Sequence, residues 1–534
     1  MYMVESNLVH QVTSMNFTLP TIVATLATTF LLITLIYNLV FHKGSTQEPP
    51  EAGGAWPIIG HLHLLAAPRA TFKILADMAD KYGPIFRIRL GSKQVLVVSD
   101  SRIAKECFTT NDRALAGRPK ALTSEIIGYN YAMFGLSPYG EYWRHVRKVV
   151  VLQLLSNRRR ETLMRVWESG VRLFAQDIYR SWLRDKNESE VVKLDMKELF
   201  GKLIMDVTMQ MLFGQQYEEE VSRRVVTTAR QLLKLNEVPV VGDYLPWLRW
   251  LDIGGHKKAL KETAKKMDSI VEGWLQEHKR KINSKSKEEE DFMDGLLKSF
   301  DGDGGDGDHK DIPKDFDADT IVKSTCMGML LAGTDTTTTT LIWALSLILN
   351  NSLVLEKIRA ELDIHVGRKR HVNQFDLNNL IYLQAVVKET LRLYTPGPLL
   401  LPHECIDDCV VNGYNIQKGT RLLVNVSMIH RDLDIWSDPN VFRPERFLNE
   451  YKDIDVRGNH FELIPFGSGR RVCPAISLAL QVMELVLACL IHDFDLKRIS
   501  DEPIDMIEMV GMTNKKATPL HVFLTPRLSS HLYG

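Results

Sequence analysis

The chain has 534 residues, 45% of them apolar, enough to bury a large core. Its 66 basic and 66 acidic residues cancel, so no whole-molecule field recruits nucleic acid, and an electrostatic partner must dock on a local patch. Six cysteines (Cys107, Cys326, Cys405, Cys409, Cys473 and Cys489) lie scattered without a CxxC pair, which argues against a disulfide framework or a zinc site.

From Phe17 to Phe41 no residue is charged, and the run exceeds the roughly 20 apolar residues that span a bilayer as helix. Six threonines lower its hydropathy, but a Thr hydroxyl can bond back to a helical carbonyl and cross lipid at modest cost. A cleaved signal peptide would carry a basic start and a shorter apolar core. Here Glu5 precedes the run and Lys43 follows it. The segment therefore reads as an uncleaved transmembrane anchor at 17–41, with residues 1–16 lumenal and the bulk cytosolic. The membrane implied is the endoplasmic reticulum. With that topology the sequons at Asn16, Asn187 and Asn425 read as unglycosylated.

Residues 42–57, including Glu48 to Pro57 (EPPEAGGAWP), read as linker and hinge, since proline stiffens the chain and glycine lets it turn. Residues 58–534 form the body. Alternation from Gly83 to Ser99 around a Gly-containing turn predicts a hairpin. Beyond Glu141 the spacing turns helical through Phe200, again over Met267 to Lys281, and over Asp319 to Asn350. Strands return in Cys409 to Val426 around Asn412-Gly413 and Lys418-Gly419. The expectation is a mainly α domain with a small β lobe. Phe300 to Asp311 superficially resembles a calcium loop but lacks its ligand order and terminal glutamate, and reads as a solvated connector.

Chemistry concentrates at Pro465 to Ala475, PFGSGRRVCPA. Glycines let backbone approach a flat ligand, and N–H groups, Arg471 and the N-terminus of the apolar helix beginning at Ile476 all favour a thiolate at Cys473. Glu389 and Arg392 stand at i and i+3 on one helical face. In the long apolar helix, Ala332-Gly-Thr-Asp-Thr-Thr337 opens a run of threonines, Thr336 to Thr340, that suits helix poorly. The bland reading, hydroxyls bonding to i−4 carbonyls, fits Thr338 to Thr340.

At these residues the chain resembles the cytochromes P450, whose haem loop reads Phe-x-x-Gly-x-Arg-x-Cys-x-Gly. Phe466, Gly469, Arg471 and Cys473 match it. Ala475 stands where the last glycine is usual, a departure that bears on helix packing more than on ligation. The resemblance covers nearly the whole chain and is greatest to plant family eighty-two, through WPIIGHLHLL (Trp56 to Leu65) and KETLRLYTPGPLLLPHE (Lys388 to Glu404). Members of that family oxidise alkaloids, coumarins, flavones and terpenoid alcohols.

The resemblance implies haem b with Cys473 as axial ligand of the iron, a thiolate that promotes O–O cleavage. It implies propionate binding by Trp143 and Arg147 of a WxxxR element, by Arg471 and by His403. It implies a Glu389, Arg392 and Arg446 network, the last from Pro444-Glu-Arg-Phe447, and proton delivery by Asp335 and Thr336. It further implies a lipophilic substrate, walled by segments near Ala121 to Phe134, Met327 to Ala332, Thr395 to Leu401 and Met512 to Thr513. Electrons come from NADPH through the flavins of cytochrome P450 reductase. A reductase-independent isomerase or dehydratase of the same fold, or a non-enzymatic haem protein, are the alternatives, and Asp335-Thr336 speaks against both.

Overall fold

The computed structural model describes residues 47–66, 68–155, 157–186, 190–214, 219–284, 291–300 and 316–534, together with Ala24, Thr25, Thr28, Thr29 and Leu32. The predicted anchor at 17–41, those five positions excepted, and the acidic run after Phe300 lie outside the described residues. At the five positions the chain is helical. There Thr28 and Thr29 Oγ1 each donate to the carbonyl four residues back, at 2.7 Å.

The main helices are α1 (Thr71–Tyr82), α2 (Ser101–Phe108), α3 (Glu141–Leu155), α4 (Asn157–Asp185), α5 (Met196–Phe213), α6 (Glu219–Asn236), α7 (His256–Asn283), α8 (Phe292–Phe300), α9 (Ala318–Asn350), α10 (Ser352–His365), α11 (Ile381–Leu393) and α12 (Ile476–Asp493). Their ends are chemically marked. Asp100, Asp195 and Asp317 turn a carboxylate onto free N–H groups at the starts of α2, α5 and α9, caps worth about 1 kcal/mol each. Gly214, at φ 71°, closes α5.

Helix α9 is apolar around its whole circumference and is therefore surrounded, packing against α5, α7, α8, α11 and α12. Each fully buried Leu or Ile there contributes about 1.5–3 kcal/mol. Among the described single helices, α12 is long and apolar enough to cross a membrane, but 72% of it is buried inside the protein, so it is a core helix.

Strands β1 (Ile85–Leu90), β2 (Lys93–Val98), β3 (Val192–Asp195), β4 (His403–Glu404), β5 (Cys409–Val411), β6 (Tyr414–Ile416), β7 (Arg421–Val424), β8 (Phe494–Arg498) and β9 (His521–Pro526) form three sheets. The hairpin predicted over Gly83 to Ser99 forms, as does the turn at Asn412-Gly413, but the strands either side of Lys418-Gly419 do not pair with each other. β1 pairs antiparallel with β2, Ile85 opposite Val98, and β5 with β6 across Asn412 and Gly413, whose φ values of 49° and 79° are those of a two-residue turn. β7 joins β2 in parallel and carries β4 on its other edge. The β3-β9-β8 sheet was not foreseen: its strands are short, and β3 is embedded in helical spacing. The proline-rich segment lies along β1, with Ala52 N–H donating to Arg87 O and Arg87 N–H to Pro50 O, both at 2.9 Å.

Candidate active site

The Cys473 loop runs from the end of an extended stretch into α12. Cys473 N–H donates to Phe466 O at 3.0 Å, closing the loop beneath the half-buried Phe466 ring. Gly469 has φ 66°, and a Cβ there would meet Asp112 Oδ1 at 2.5 Å and Phe108 O at 2.9 Å, so the close approach of α2 requires glycine. Burial raises the Cys473 thiol, against the opposing pull of the Ala475 N–H and of Arg147. The backbone donor foreseen in the loop is thus present, but the cation acting on the sulfur is Arg147 of α3 and not the loop's Arg471, and desolvation outweighs both.

Arg147 and Arg471 frame this loop. Arg147 Nη2 donates to Val472 O at 2.6 Å. Arg471 donates to Ala116 O at 2.9 Å and Ser137 O at 2.7 Å. Both guanidinium groups lie over the Trp143 ring, at 5.3 and 4.4 Å from its centroid. A third arginine, absent from the expected set, joins them: Arg118 donates to Leu401 O and Pro402 O, each at 2.8 Å. Gly117 places it, because a Cβ there would meet Glu404 O at 2.4 Å, and the two backbones are bridged at that point. His403 is buried on β4, with its Nδ1–H on Leu115 O at 2.7 Å.

None of these three arginines pairs with a carboxylate among the described residues. Burial, together with the like charges of Arg118 and Arg147, pushes Arg471 down to about 8. Burial pushes Arg118 down to about 10, and burial and Arg118 drive His403 well below the usual imidazole range. A half-buried cationic cluster short of negative charge fits a ligand that brings carboxylates, as the propionates of haem would.

Helix α9 is buried or half-buried from residue 321 to 349 except at Ala332 and Thr336. An exposed pair at i and i+4 in the middle of a core helix lines an internal space. Thr336 Oγ1 donates to Ala332 O at 2.8 Å, and Thr340 bonds back likewise, whereas Thr338 Oγ1 is buried without a partner. Asp335 points to the C-terminal lobe: Lys515 Nζ sits 2.9 Å from its Oδ1, and Thr513 Oγ1 donates to its Oδ2 at 2.9 Å. Lys515 also meets Glu237, just past α6, at 2.5 Å.

Behind the loop, Glu389, Arg392 and Arg446 are all 0% exposed. Arg392 grips Glu389 with two N–H groups at 2.8 and 2.9 Å, and Arg446 Nε adds a third at 3.0 Å. Remaining donors go to carbonyls: Arg392 to His430 and Pro439, Arg446 to Ser437. His430 links this network to the cysteine loop. Its Nε2 accepts from Ile464 N–H at 3.0 Å, so Nδ1 carries the proton and donates to Arg392 O. Burial and Arg392 hold it down to about 3, hence neutral.

A helical body that sets a cysteine loop against a cationic cluster without carboxylates, and exposes a threonine on a core helix, suits a haem-thiolate oxygenase. The Cytochrome P450 family model matches residues 49–521. Cytochrome P450 82A4 of Glycine max is 46% identical, over 97% of this chain and 99% of its own. Flavonoid-6-hydroxylase of Mentha piperita is 47% identical, over 93% and 97%, and strychnine-10-hydroxylase of Strychnos nux-vomica 46%, over 93% and 96%. A zebrafish cytochrome P450 solved with progesterone superposes with a TM-score of 0.72 at 26% identity, over 86% of this chain and all of that one. The chain belongs to the cytochrome P450 monooxygenase family, whose members bind haem b, and its plant relatives are those of family eighty-two.

Proposed function

We propose that this monooxygenase inserts one oxygen atom of O2 into a C–H bond of a lipophilic plant specialised metabolite, an alkaloid ahead of a phenolic or terpenoid. Electrons come from NADPH through cytochrome P450 reductase, at the endoplasmic reticulum membrane with residues 17–41 as anchor. The observation that carries the reading is the exposed Ala332 and Thr336 pair on an otherwise enclosed helix, with an acid beside it held by Lys515.

Bound haem b supplies the oxygen-activating iron. Cys473 would ligate its iron, and Arg118, Arg147, Arg471, Trp143 and His403 would hold its propionates. Thr336, whose own hydroxyl hydrogen rests on Ala332 O, offers its oxygen as acceptor to a proton donor at the exposed turn of α9, and Asp335 passes protons in from the Lys515 side. Leu401 and Met512, 42% and 41% exposed, present apolar surface for a lipophilic substrate. The strychnine hydroxylase supports an alkaloid, and the flavonoid hydroxylase marks the second reading. A cleft by the cysteine loop, lined by Arg144, Arg147, Lys148 and Arg470, offers positive charge to an acidic electron donor.

The test is to incubate microsomes carrying the full chain with reductase, NADPH and a plant extract. A product heavier by one oxygen, formed only with NADPH and reductase, is expected. Conversion without reductase would move the chain to the isomerase reading. With the substrate so found, Thr336→Ala is expected to keep NADPH consumption while product per NADPH falls and hydrogen peroxide rises, since one positioned proton donor is typically worth about a hundredfold in its step.

A further inference from the structure

Cys405 and Cys409 have no part in the chemistry above, yet they face each other. Their Sγ atoms are 3.8 Å apart. Cys405, just past β4, is buried, and Cys409, the first residue of β5, is half-buried and reachable from solvent. The bend between them is pinned: Cys405 N–H donates to Thr420 O at 2.8 Å, Ile406 N–H to Ala114 O at 2.7 Å, and Lys418 N–H to Asp408 Oδ1 at 2.7 Å. Two thiols are therefore held within reach, not brought together by chance encounters of a loose loop.

We propose that Cys405 and Cys409 are a peroxide-sensitive dithiol whose closure to a disulfide loosens the haem-propionate cradle. Cys409 is the sulfur open to solvent, and the neighbouring Cys405 thiol, whose S–H also reaches Asp407 O at 2.9 Å, lowers its pKa while Cys405 itself is raised. The Cys409 thiolate attacks hydrogen peroxide: an S–O bond forms, the O–O bond breaks, and hydroxide leaves to become water with the proton the thiol released. Cys405 then gives up its proton and attacks the sulfenic sulfur; the S–S bond forms, S–O breaks, and a second water leaves. Two thiols and one peroxide yield one disulfide and two waters. A monooxygenase that fails to deliver protons itself releases this oxidant.

The consequence follows from position. A disulfide is about 2.05 Å long, so the sulfurs must close by well over an ångström. Cys405 adjoins β4, where Glu404 N–H donates to Gly117 O at 3.0 Å and His403 to Leu115 O at 2.7 Å. Arg118 follows Gly117. Movement of Cys405 is thus passed directly to two members of the cationic cluster.

The haem-loaded full chain is treated with hydrogen peroxide, free thiols are alkylated, and peptides are weighed. A Cys405–Cys409 bridge, two hydrogens lighter and opened by dithiothreitol, is expected, with haem transfer to apomyoglobin several-fold faster until reduction. Cys409→Ser and Cys409→Ala, each first shown to keep the carbon monoxide spectrum, receive the same dose and control for bleaching; neither should show the acceleration. Cys107, buried in the same cluster, should remain unpaired. Two alkylatable thiols after treatment, a bridge to Cys107, or a bridge that leaves haem transfer unchanged would each overturn the proposal. Each can be read whether or not the oxidised substrate is known.

Discussion

Two arginine clusters flank the cysteine loop, and they differ in one respect. Around Glu389 a single carboxylate and a ring of carbonyls satisfy Arg392 and Arg446 from within the chain. Around Trp143, Arg118, Arg147 and Arg471 find carbonyls but no carboxylate among the described residues. The first cluster is complete in the protein alone and acts as frame. The second is complete only with an anionic ligand, so the charge it lacks describes what binds there. Buried charge that is paired marks architecture, and buried charge left over marks a site.

Breaking the closed cluster should have the largest effect. Glu389→Gln leaves two buried guanidinium groups without their anion, a loss of about 3–5 kcal/mol. It should lower thermal stability with and without haem, measured as the midpoint of helix loss by circular dichroism. A variant that is destabilised only when haem is present would mean that this cluster, too, depends on the ligand.

The open cluster should behave the other way. Arg471→Leu removes a charge-assisted partner of the ligand, worth about 1.5–3 kcal/mol, so haem loss should speed up by roughly ten- to a hundredfold. In the haem-free protein the same change deletes an uncompensated buried charge and should cost far less. Equal losses in both states would remove the distinction between the clusters.

His430, which joins the closed cluster to the cysteine loop, adds a pH dependence. Its pKa falls from 6.5 when unfolded to about 3 when folded, so its contribution is complete above 6.5 and is lost as pH falls toward 3. The slope is about 1.4 kcal/mol per pH unit. His430→Gln should therefore flatten the acid side of the stability profile relative to the unsubstituted protein. A parallel profile would show that His430 is protonated in the fold.

What the sequence disclosed tracks how local the physics is. The hairpins were legible because glycine and asparagine turns and alternation sit within a few residues. The cysteine loop, the WxxxR arginine beside it and the ExxR ion pair were legible as groupings because each keeps its residues close together. Arg118 was missed, because its role comes from a glycine-permitted contact with β4 far along the chain and from a partner the chain does not contain. His430 carries no local signal, because its partners Arg392 and Ile464 lie 38 and 34 positions away. Lys515 and Glu237 are 278 positions apart, and no periodicity links them. In the β3-β9-β8 sheet, β3 likewise pairs with β9 across hundreds of residues.

Lys515 offers the finest test of the comparison, because it stands between the two cases. It is a half-buried cation with two carboxylates, Asp335 on α9 and Glu237 past α6. With Thr513, it holds Asp335, the acid of the proposed proton route. In Lys515→Met the two carboxylates lose their shared counter-charge, and Asp335 keeps only the Thr513 hydroxyl to orient it. Because Thr336 and Cys473 are untouched, the carbon monoxide spectrum and haem retention should be unchanged. Product per NADPH should drop several-fold, less than the loss expected for Thr336→Ala, and its pH profile should shift, since a proton carrier has lost its neighbour. Lys515→Arg restores a cation in reach of both acids and should recover most of the coupling. If Lys515→Met coupled as well as the unsubstituted enzyme at every pH, the ion pair would be architecture like the Glu389 cluster, and protons would reach Thr336 by another path.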